Sequence, residues 1–482
     1  MKMERYGMGG NLLRIIQSIY YNDQVIFQVN GEQCKPLYLK RGVKQGCNLS
    51  PVLFNLYMAD LSHKLNTEEK QVKLGNTSIN HLIFADDLIL ITDGPQKEMN
   101  HLIKVTSEYC DNWKLEIAPT KTKILKYGGQ KGVWIIPNIS TSVNTPIKET
   151  IFARYLGIDF EPRHRSYAHR KVTAMGDLAL DFATAIKCIS KVSIDKVAIG
   201  LALWKGCAIP TILYASECVN ITKTALKNLD KIQCTVAKEL CQIGASTNGA
   251  AALKETGLIP LSLMIRQRKL AFMYHIKYMN KNRLIHQAWK EHIDGGWRSK
   301  WLQKDSEFVE RLDEIGPDLD IELEGWTKEY LDEEFNRCMK SLCVMPRNYE
   351  IGTPNIFIND SWQSKVLCEF RAGDAGLGNR RPTPDNISLK ICPFCKHQNR
   401  IILVNESHVV IRCQALESIR EDRGMRKEIK EYEVEHSTTN PIILCRLYLG
   451  EDNCGKERLF ERAVVLRKIR EAWWNKLKNV RA

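Results

Sequence analysis

Residues 83–90 read Ile83-Phe84-Ala85-Asp86-Asp87-Leu88-Ile89-Leu90, with two adjacent carboxylates between two short apolar runs. The apolar runs predict two short β-strands, and the aspartates fall at the tip between them. Two carboxylates beside apolar strands cost free energy unless a cation neutralises them, and oxygen ligands of this kind suit Mg²⁺. Asp-Asp pairs also occur in ordinary turns, so the neighbouring sequence has to distinguish a metal site from a solvated turn.

A glycine-containing loop precedes this hairpin and reads Arg41-Gly42-Val43-Lys44-Gln45-Gly46-Cys47-Asn48-Leu49-Ser50-Pro51. Its glycines let the backbone approach a ligand closely, and the Gln45 amide offers both a donor and an acceptor. Ser50 is a good helix N-cap, Pro51 suits a first helical turn, and the apolar spacing from 52 to 65 continues the helix. The pattern fits an ordinary loop before a helix, and it also fits a nucleotide-binding loop.

Together, the loop and the Phe-Ala-Asp-Asp hairpin resemble, in order and separation, the reverse transcriptases of non-LTR (LINE-type) retrotransposons. The resemblance implies that Asp86 and Asp87 bind catalytic Mg²⁺ in the palm of an RNA-directed DNA polymerase. It also implies that three loop residues line the incoming deoxynucleotide, namely Arg41, Gln45 and Gly46. Cys47 and Asn48 depart from the residues that many relatives carry, which leaves the substrate preference open.

Two further segments continue the resemblance downstream. Residues 98–113 have the spacing of an amphipathic helix, and Lys121 follows on a turn. The resemblance implies that Lys121 approaches the nucleotide phosphates, although a lysine on a turn is often merely solvated. Tyr155-Leu156-Gly157 resembles the primer-grip hairpin, which positions the primer strand.

One acidic residue of the resembled family has no counterpart in the sequence. Two-metal nucleotidyl transfer uses a further aspartate on an earlier strand, upstream of the glycine-glutamine loop. Asp23 is the only aspartate before the loop, and it lies in a turn-like Tyr-Asn-Asp stretch. We therefore expect a palm without fingers and without its first catalytic strand, and a chain that does not polymerise DNA by itself.

A possible metal site lies near the C-terminus, where Cys392, Cys395, His408 and Cys413 are separated by two, twelve and four intervening residues. Three thiolates and one imidazole suit a closed tetrahedral Zn²⁺ site. Four unlinked residues in a cysteine-rich chain are the alternative, and a redox Cys-x-x-Cys reading lacks a thioredoxin-like context. His397 is too close to Cys395 for an easy chelate. A similar motif follows the polymerase in many LINE-type proteins, where it is thought to help bind nucleic acid.

Composition agrees with a polyanionic partner without proving one. The chain has 482 residues, a formal net charge of +14 and 16 cysteines that form no disulfide-like framework. No signal peptide and no uninterrupted apolar run of membrane-spanning length are evident, so we expect reduced thiols, a nuclear or cytoplasmic location and no membrane. The oligomeric state is not indicated.

The fold class predicted from these features is α+β, with four segments. These are a partial polymerase palm of antiparallel sheet and helices (1–165), a helical thumb and post-thumb (166–294), an acidic helical connector (295–360), and a small zinc-binding module with a basic C-terminal helix (361–482). Helical patterns in the thumb are broken at Pro210, Gly244, Gly257 and Pro260.

Three functions remain open on the sequence alone. The first is a reverse transcriptase segment that uses RNA template, DNA primer and deoxynucleotides and is complete only in a longer protein. The second is a non-catalytic remnant that binds nucleic acid through its basic surface and zinc knuckle. The third is an intron-encoded splicing maturase, against which the acidic connector and the Cys-Cys-His-Cys motif argue.

Overall fold

The computed structural model describes residues 2–21, 23–39, 42–44, 46–68, 71–74, 77–118, 120–126, 148–161, 169–189, 195–294, 362–372, 392, 394–395, 407–422, 424–451 and 455–481. They fall into two compact units, the first of Met1–His169 with Met279–Arg298 and the second of Arg170–Tyr278 with Ser299–Ala482. The predicted acidic connector (295–360) lies outside the described residues. The boundaries of the four predicted segments stay predictions.

Helices and short strands are both present, which confirms the α+β class. The described helices are α1 (Lys2–Arg5), α2 (Gly10–Tyr20), α3 (Leu49–Asn66), α4 (Gln96–Asn112), α5 (His169–Ile189), α6 (Lys196–Leu203), α7 (Ile209–Leu213), α8 (Lys223–Leu240), α9 (Gly249–Thr256), α10 (Leu261–Tyr278), α11 (Leu284–Asp294), α12 (Trp362–Arg371), α13 (Glu417–Asp422), α14 (Met425–Glu435), α15 (Pro441–Arg446) and α16 (Lys456–Arg481).

The described strands are β1 (Gln24–Val25), β2 (Gln28–Val29), β3 (Glu32–Gln33), β4 (Leu37–Tyr38), β5 (Val72–Leu74), β6 (Thr77–Ile79), β7 (His81–Phe84), β8 (Asp87–Leu90), β9 (Lys123–Ile124), β10 (Lys148–Glu149), β11 (Ala153–Tyr155) and β12 (Ile158–Phe160). Within the described ranges they pair only two by two, and all the ladders are antiparallel except β9–β10. The single antiparallel sheet of a polymerase palm therefore stays a prediction.

The core of the first unit lies between α3, α4 and the β7–β8 hairpin. Helix α4 confirms the helix predicted over 98–113, because its buried residues recur every three or four positions. Strand β8 contributes Leu88 and Leu90, which share one face of the strand. The buried cluster comprises Met58, Leu61, Leu65, Leu88, Leu90, Met99, Leu102, Val105, Tyr109 and Cys110.

The helical break predicted at Pro210 is wrong. The chain stays helical from α6 through a π-helical turn, Trp204–Ala208, into α7, and Pro210 lies in the first turn of α7. A proline ring clashes with the carbonyl four residues earlier in a regular α-helix. The wide π-turn, in which Ile209 donates to the Trp204 carbonyl five residues back, relieves this conflict. By contrast, Gly257 ends α9 in a left-handed conformation (φ 61°), as a helix-terminating glycine should.

One described stretch, Lys196–Cys218, is long and apolar enough to cross a membrane by length and composition. The stretch contains Lys196, Lys205 and Glu217, so it is not an uninterrupted apolar run. Trp204 and Ile212 of this stretch are fully buried within the second unit. The core helix of a soluble protein passes the same test, so the stretch is weak evidence for a membrane span.

A second core fills the C-terminal part of the second unit, among α12, α14, α15 and α16. It includes Phe370, Ile429 and Trp473, together with the three motif cysteines. Arg371 ends α12 and is 2% exposed. The residues that follow, 373–381, lie outside the described residues.

Candidate functional sites

The two aspartates lie at the turn of the β7–β8 hairpin, as predicted. Phe84 pairs with Asp87, which leaves Ala85 and Asp86 as a two-residue turn. Ala85 has a positive φ of 51°, a conformation that alanine adopts rarely and that recurs at functional sites. Asp86 is exposed and Asp87 is half-buried, so the turn presents one carboxylate to solvent and holds the other against the fold.

Two more predicted residues lie within electrostatic reach of this turn. Burial and the Asp86 carboxylate raise the pKa of Asp87, and the Lys121 ammonium opposes that rise. The pKa of Tyr155 is also raised, first by burial and then by the charge of Asp87. The Asp87 carboxylate is therefore within electrostatic reach of Asp86, Lys121 and Tyr155, although these residues come from three separate segments. A cation between the carboxylates would remove the repulsion that raises the Asp87 pKa.

The predicted hairpin at Tyr155-Leu156-Gly157 is present as β11 and β12. Leu156 and Gly157 form its turn, with φ values of 47° and 76°. Positive φ at both central residues is typical of a tight type I′ turn, whose twist suits two antiparallel strands. Across the hairpin, Arg154 pairs with Asp159 at 2.8 Å. Leu156 and Gly157 are both exposed, so the turn is accessible to a ligand.

The glycine-glutamine loop is described only in part, because Arg41 and Gln45 lie outside the described residues. Gly46 has a positive φ of 84°, which suits glycine. The backbone N–H groups of Leu49 and Ser50 lower the pKa of the Cys47 thiol. Helix α3 begins at Leu49, so Ser50 lies inside the first turn and is not the N-cap that we expected.

Asp23 does not join the aspartates of the hairpin turn in a metal-binding group. Its carboxylate is largely buried and forms an ion pair with the Lys44 ammonium at 2.8 Å. Across the described part of the chain, three or more potential metal ligands converge only at Cys392, Cys395, His408 and Cys413. The described residues thus supply two carboxylates at the hairpin turn and no third ligand beside them.

The four predicted zinc ligands do come together. Their ligand atoms all lie within 4.8 Å of one another, and all four residues are buried. The Sγ atoms of Cys392 and Cys413 are 3.9 Å apart. Zn–S bonds of about 2.3 Å would separate two sulfurs of a tetrahedron by roughly 3.8 Å, so this spacing fits a tetrahedral ion. The neighbouring Pro393 and His397 lie outside the described residues.

The polar environment of these thiols also fits a metal. Hydrogen bonds from the Cys413 thiol and from His408 lower the pKa of Cys392 to about 4, against the effect of burial. The same thiol contact and burial raise the pKa of Cys413, and burial raises the pKa of Cys395. The negative charge of the Cys392 thiolate is thus stabilised by hydrogen bonds from Cys413 and His408. A bound cation would stabilise the same negative charge.

A π-helical turn places the last two ligands side by side. Residues His408–Arg412 form this turn, and the Cys413 N–H donates to the His408 carbonyl at 2.8 Å. Residues five apart point to different sides of an α-helix, whereas a π-turn brings them nearly into line. The wider turn therefore places His408 and Cys413 close enough to bind one ion.

Arg420 holds the carbonyls of this turn and was not identified from the sequence. It is fully buried, and its guanidinium donates to the carbonyls of Val409 (3.3 Å), Val410 (3.4 Å) and Cys413. Its charge is balanced by Glu417 at 2.6 Å. Within the sequence Glu-Ser-Ile-Arg-Glu-Asp, nothing separates Arg420 from a solvated helix residue, so its role appears only in the folded chain.

Sequence comparison finds a similarity over the segment that contains the loop before α3, the hairpin turn and the second hairpin. Residues 2–160 match the family model described as reverse transcriptase (RNA-dependent DNA polymerase). The resemblance to the reverse transcriptases of non-LTR retrotransposons is thereby confirmed for this segment.

Two curated relatives are similar to this chain. One is the retrovirus-related Pol polyprotein from type-1 retrotransposable element R2 of Popillia japonica, 35% identical over 92 residues. The other is the retrovirus-related Pol polyprotein from type-2 retrotransposable element R2DM of Drosophila melanogaster, 35% identical over 91 residues. Each match covers 19% of this chain, but only 15% of the first relative and 8% of the second.

Proposed function

We propose that the chain is the Mg²⁺- and nucleotide-binding segment of a non-LTR retrotransposon reverse transcriptase, followed by a zinc-containing module that binds nucleic acid. The observation that carries this proposal is the hairpin turn, where Asp86 and Asp87 lie within electrostatic reach of Lys121 and Tyr155. Acidic ligands, a phosphate-neutralising cation and a strand-supporting hairpin are what templated nucleotidyl transfer requires.

Each group has a role in this proposal. Asp86 and Asp87 hold Mg²⁺, which in such sites lowers the pKa of a primer 3′-hydroxyl and stabilises the leaving pyrophosphate. Lys121 neutralises phosphate oxygens of the deoxynucleotide, whose other contacts come from Arg41, Gln45 and Gly46. The turn at Tyr155-Leu156-Gly157 supports the DNA primer against the RNA template. Cys392, Cys395, His408 and Cys413 hold structural Zn²⁺.

We further propose that the chain polymerises DNA poorly or not at all by itself. The hairpin turn carries two carboxylates, and no third potential ligand joins them among the described residues, whereas two bridged metal ions need a further acidic ligand. Loss of one such ligand lowers polymerisation by several orders of magnitude, by analogy with other losses of transition-state stabilisation. Magnesium-dependent primer extension by the purified chain at an ordinary polymerase rate would contradict this.

The metal site can be tested without polymerase activity. Mn²⁺ replaces Mg²⁺ in such sites, and its electron paramagnetic resonance signal reports the bound fraction. We expect Asp86→Asn and Asp87→Asn each to lower Mn²⁺ affinity at least about tenfold, because each removes a charged oxygen ligand. Asp93→Asn is the matched control, since Asp93 is exposed shortly after the same hairpin and should change nothing. Equal affinity in all four proteins would refute the hairpin site.

The alternative is a non-catalytic remnant that binds nucleic acid, and the two-carboxylate turn favours it. Both functions predict RNA binding that weakens with salt, because basic groups release counterions from the phosphates. Only the polymerase segment predicts that Mn²⁺ and a deoxynucleotide bind cooperatively at the hairpin turn. A protein that binds RNA with normal salt dependence but shows no such cooperativity is a remnant.

A further inference from the structure

The ammonium group of Lys2 lies inside a ring of three aromatic side chains. Its Nζ is 3.6 Å from the ring centroid of Trp113, 4.9 Å from that of Tyr57 and 5.1 Å from that of Tyr109. All three distances lie within the range of a cation–π contact. Lys2 is 8% exposed, although lysine is almost never buried without compensation.

The same ammonium has three polar partners. It donates to the Tyr57 carbonyl and to the Tyr109 hydroxyl (2.8 Å), and it pairs with the Asp60 carboxylate at 3.1 Å. A lysine ammonium has three N–H donors, so each donor has one acceptor here while the aromatic faces surround the charge. Burial lowers the pKa of Lys2, and the contact with Asp60 opposes this.

The walls of the site are held by contacts that do not involve Lys2. Tyr57 and Asp60 lie on α3, Tyr109 lies on α4, and Trp113 directly follows α4. The Tyr57 hydroxyl donates to the Trp113 carbonyl, and the Tyr109 hydroxyl donates to the Tyr57 carbonyl at 2.8 Å. The Asp60 carboxylate accepts a hydrogen bond from Tyr6 at 2.6 Å. These contacts link the walls of the site to one another and to Tyr6 without the Lys2 side chain.

We propose that Tyr57, Asp60, Tyr109 and Trp113 form a binding cage for a primary alkylammonium group, and that Lys2 is its intramolecular occupant. The three aromatic faces select a cation over a neutral group of the same shape. The three acceptors select an ammonium that carries N–H donors over a quaternary ammonium, which cannot donate a hydrogen bond to any of them. The class of ligand is thus a lysine side chain or a comparable free amine, and Lys2 blocks the cage against it.

Chemical rescue in the full chain tests the cage. Lys2→Ala removes the atoms of a propylammonium group, so we add n-propylammonium, neutral 1-propanol or tetramethylammonium at millimolar concentration. Binding is read by ligand-observed saturation-transfer NMR and by the rise in Tm. We expect n-propylammonium to bind Lys2→Ala at least about tenfold more tightly than either of the other two probes. The unsubstituted chain should bind none of them at this site, because Lys2 fills it.

Three results bear on the proposal directly. Equal binding of 1-propanol would show an apolar hole without cation selectivity and would overturn it. Equal binding of tetramethylammonium would overturn the selection for N–H donors. A second variant, Lys2→Ala with Asp60→Asn, should lose most of the n-propylammonium affinity, and unchanged affinity there would place the ligand elsewhere and overturn the cage.

A measurement on the unsubstituted chain keeps the proposal falsifiable if Lys2→Ala does not fold. The rate of lysine acetylation can be followed residue by residue with mass spectrometry. Lys114 is exposed next to Trp113 and serves as the internal control. We expect Lys2 to react at least about tenfold more slowly than Lys114, because the cage encloses its amine. Equal rates would show that Lys2 does not occupy the cage.

Discussion

The negative charge of Asp87 lowers the stability of the folded chain. Burial and the neighbouring Asp86 raise its pKa above the unfolded value, so the carboxylate is disfavoured in the folded chain. A group with a raised folded pKa contributes stability only at low pH, and that contribution is lost as the pH rises through the folded pKa. At neutral pH the aspartate pair is therefore a cost in stability that a bound cation would offset.

We expect Asp87→Asn to stabilise the protein in the absence of divalent metal and to remove the gain in Tm that Mg²⁺ provides. Asparagine keeps the shape of the side chain and removes the repulsion with Asp86. Thermal unfolding with and without Mg²⁺ measures both effects. Asp93→Asn, at an exposed aspartate, should leave both values near those of the unsubstituted chain. A lower Tm for Asp87→Asn without metal would contradict the electrostatic account.

His81 is a second residue whose protonation is tied to folding. Its Nε2 lies 2.8 Å from the Ser62 hydroxyl and its Nδ1 lies 2.7 Å from the Asn80 side-chain oxygen. Burial lowers the pKa of His81. The neutral ring satisfies both partners, with Nδ1–H donating and Nε2 accepting, whereas a protonated ring could no longer accept from Ser62.

Stability should therefore fall as the pH drops below about 6.5, where an unfolded histidine takes up a proton that the folded His81 resists. His81→Gln removes this penalty. We expect its loss of stability from about pH 7.5 to about pH 5.5 to be smaller than that of the unsubstituted chain. Denaturant unfolding at the two pH values measures the difference, and His63→Gln, at an exposed position of α3, should retain the original dependence.

At the scale of elements, the spacing of apolar residues predicts helices and strands better than amino-acid composition does. The spacing of apolar residues predicted α4, and two short apolar runs predicted the β7–β8 hairpin. The β11–β12 hairpin was expected only from the family resemblance. The π-turns at Trp204–Ala208 and His408–Arg412 were not predicted. A π-turn depends on what packs against it, here Pro210 in one case and Arg420 in the other, and sequence spacing carries no such information.

Some residues of the candidate sites were also predicted from the sequence, and others were not. The hairpin aspartates and the four cysteine and histidine ligands were predicted, since their residue types and spacings already restrict the chemistry. The Lys2 cage was missed because its partners lie far along the chain: Lys2 meets Tyr109 across 107 positions. The Arg420 contacts were missed although their partners are near in sequence, because they depend on the π-turn that was not predicted. A basic residue in a helix looks the same in sequence whether it is solvated or enclosed.

The π-turn of the zinc motif gives a prediction at this scale. We expect Arg420→Met to weaken Zn²⁺ binding by about 10–100-fold, because the carbonyls beside His408 and Cys413 lose the donor that fixes them. Transfer of Zn²⁺ to a chromogenic chelator measures the affinity. Arg426→Met is the matched control, since Arg426 pairs with the same Glu417 at 3.1 Å but is partly exposed. If both variants lose Zn²⁺ equally, the backbone contacts of Arg420 are not responsible.

At the scale of the whole molecule, one buried ion pair joins distant parts of the second unit. Arg371 at the end of α12 lies 3.3 Å from Glu255 in α9, and their side chains are 2% and 0% exposed. The Arg371 guanidinium also donates to the Leu449 carbonyl at 2.8 Å. The pair thus connects the helices before residue 278 to the C-terminal core that contains the zinc motif.

Arg371→Met should destabilise the second unit by about 3–5 kcal/mol, because it leaves the Glu255 carboxylate buried without its partner. Adding Glu255→Gln should recover part of this loss, since the stranded charge is removed, and the coupling between the two changes should reach about 0.5–3 kcal/mol. Denaturant unfolding of the four proteins measures it. Arg467→Met is the control, because Arg467 pairs with Glu471 at 3.0 Å on the exposed side of α16, where loss of a pair costs no more than about 1 kcal/mol. Additive effects of Arg371→Met and Glu255→Gln would show that the two side chains do not interact in the folded chain.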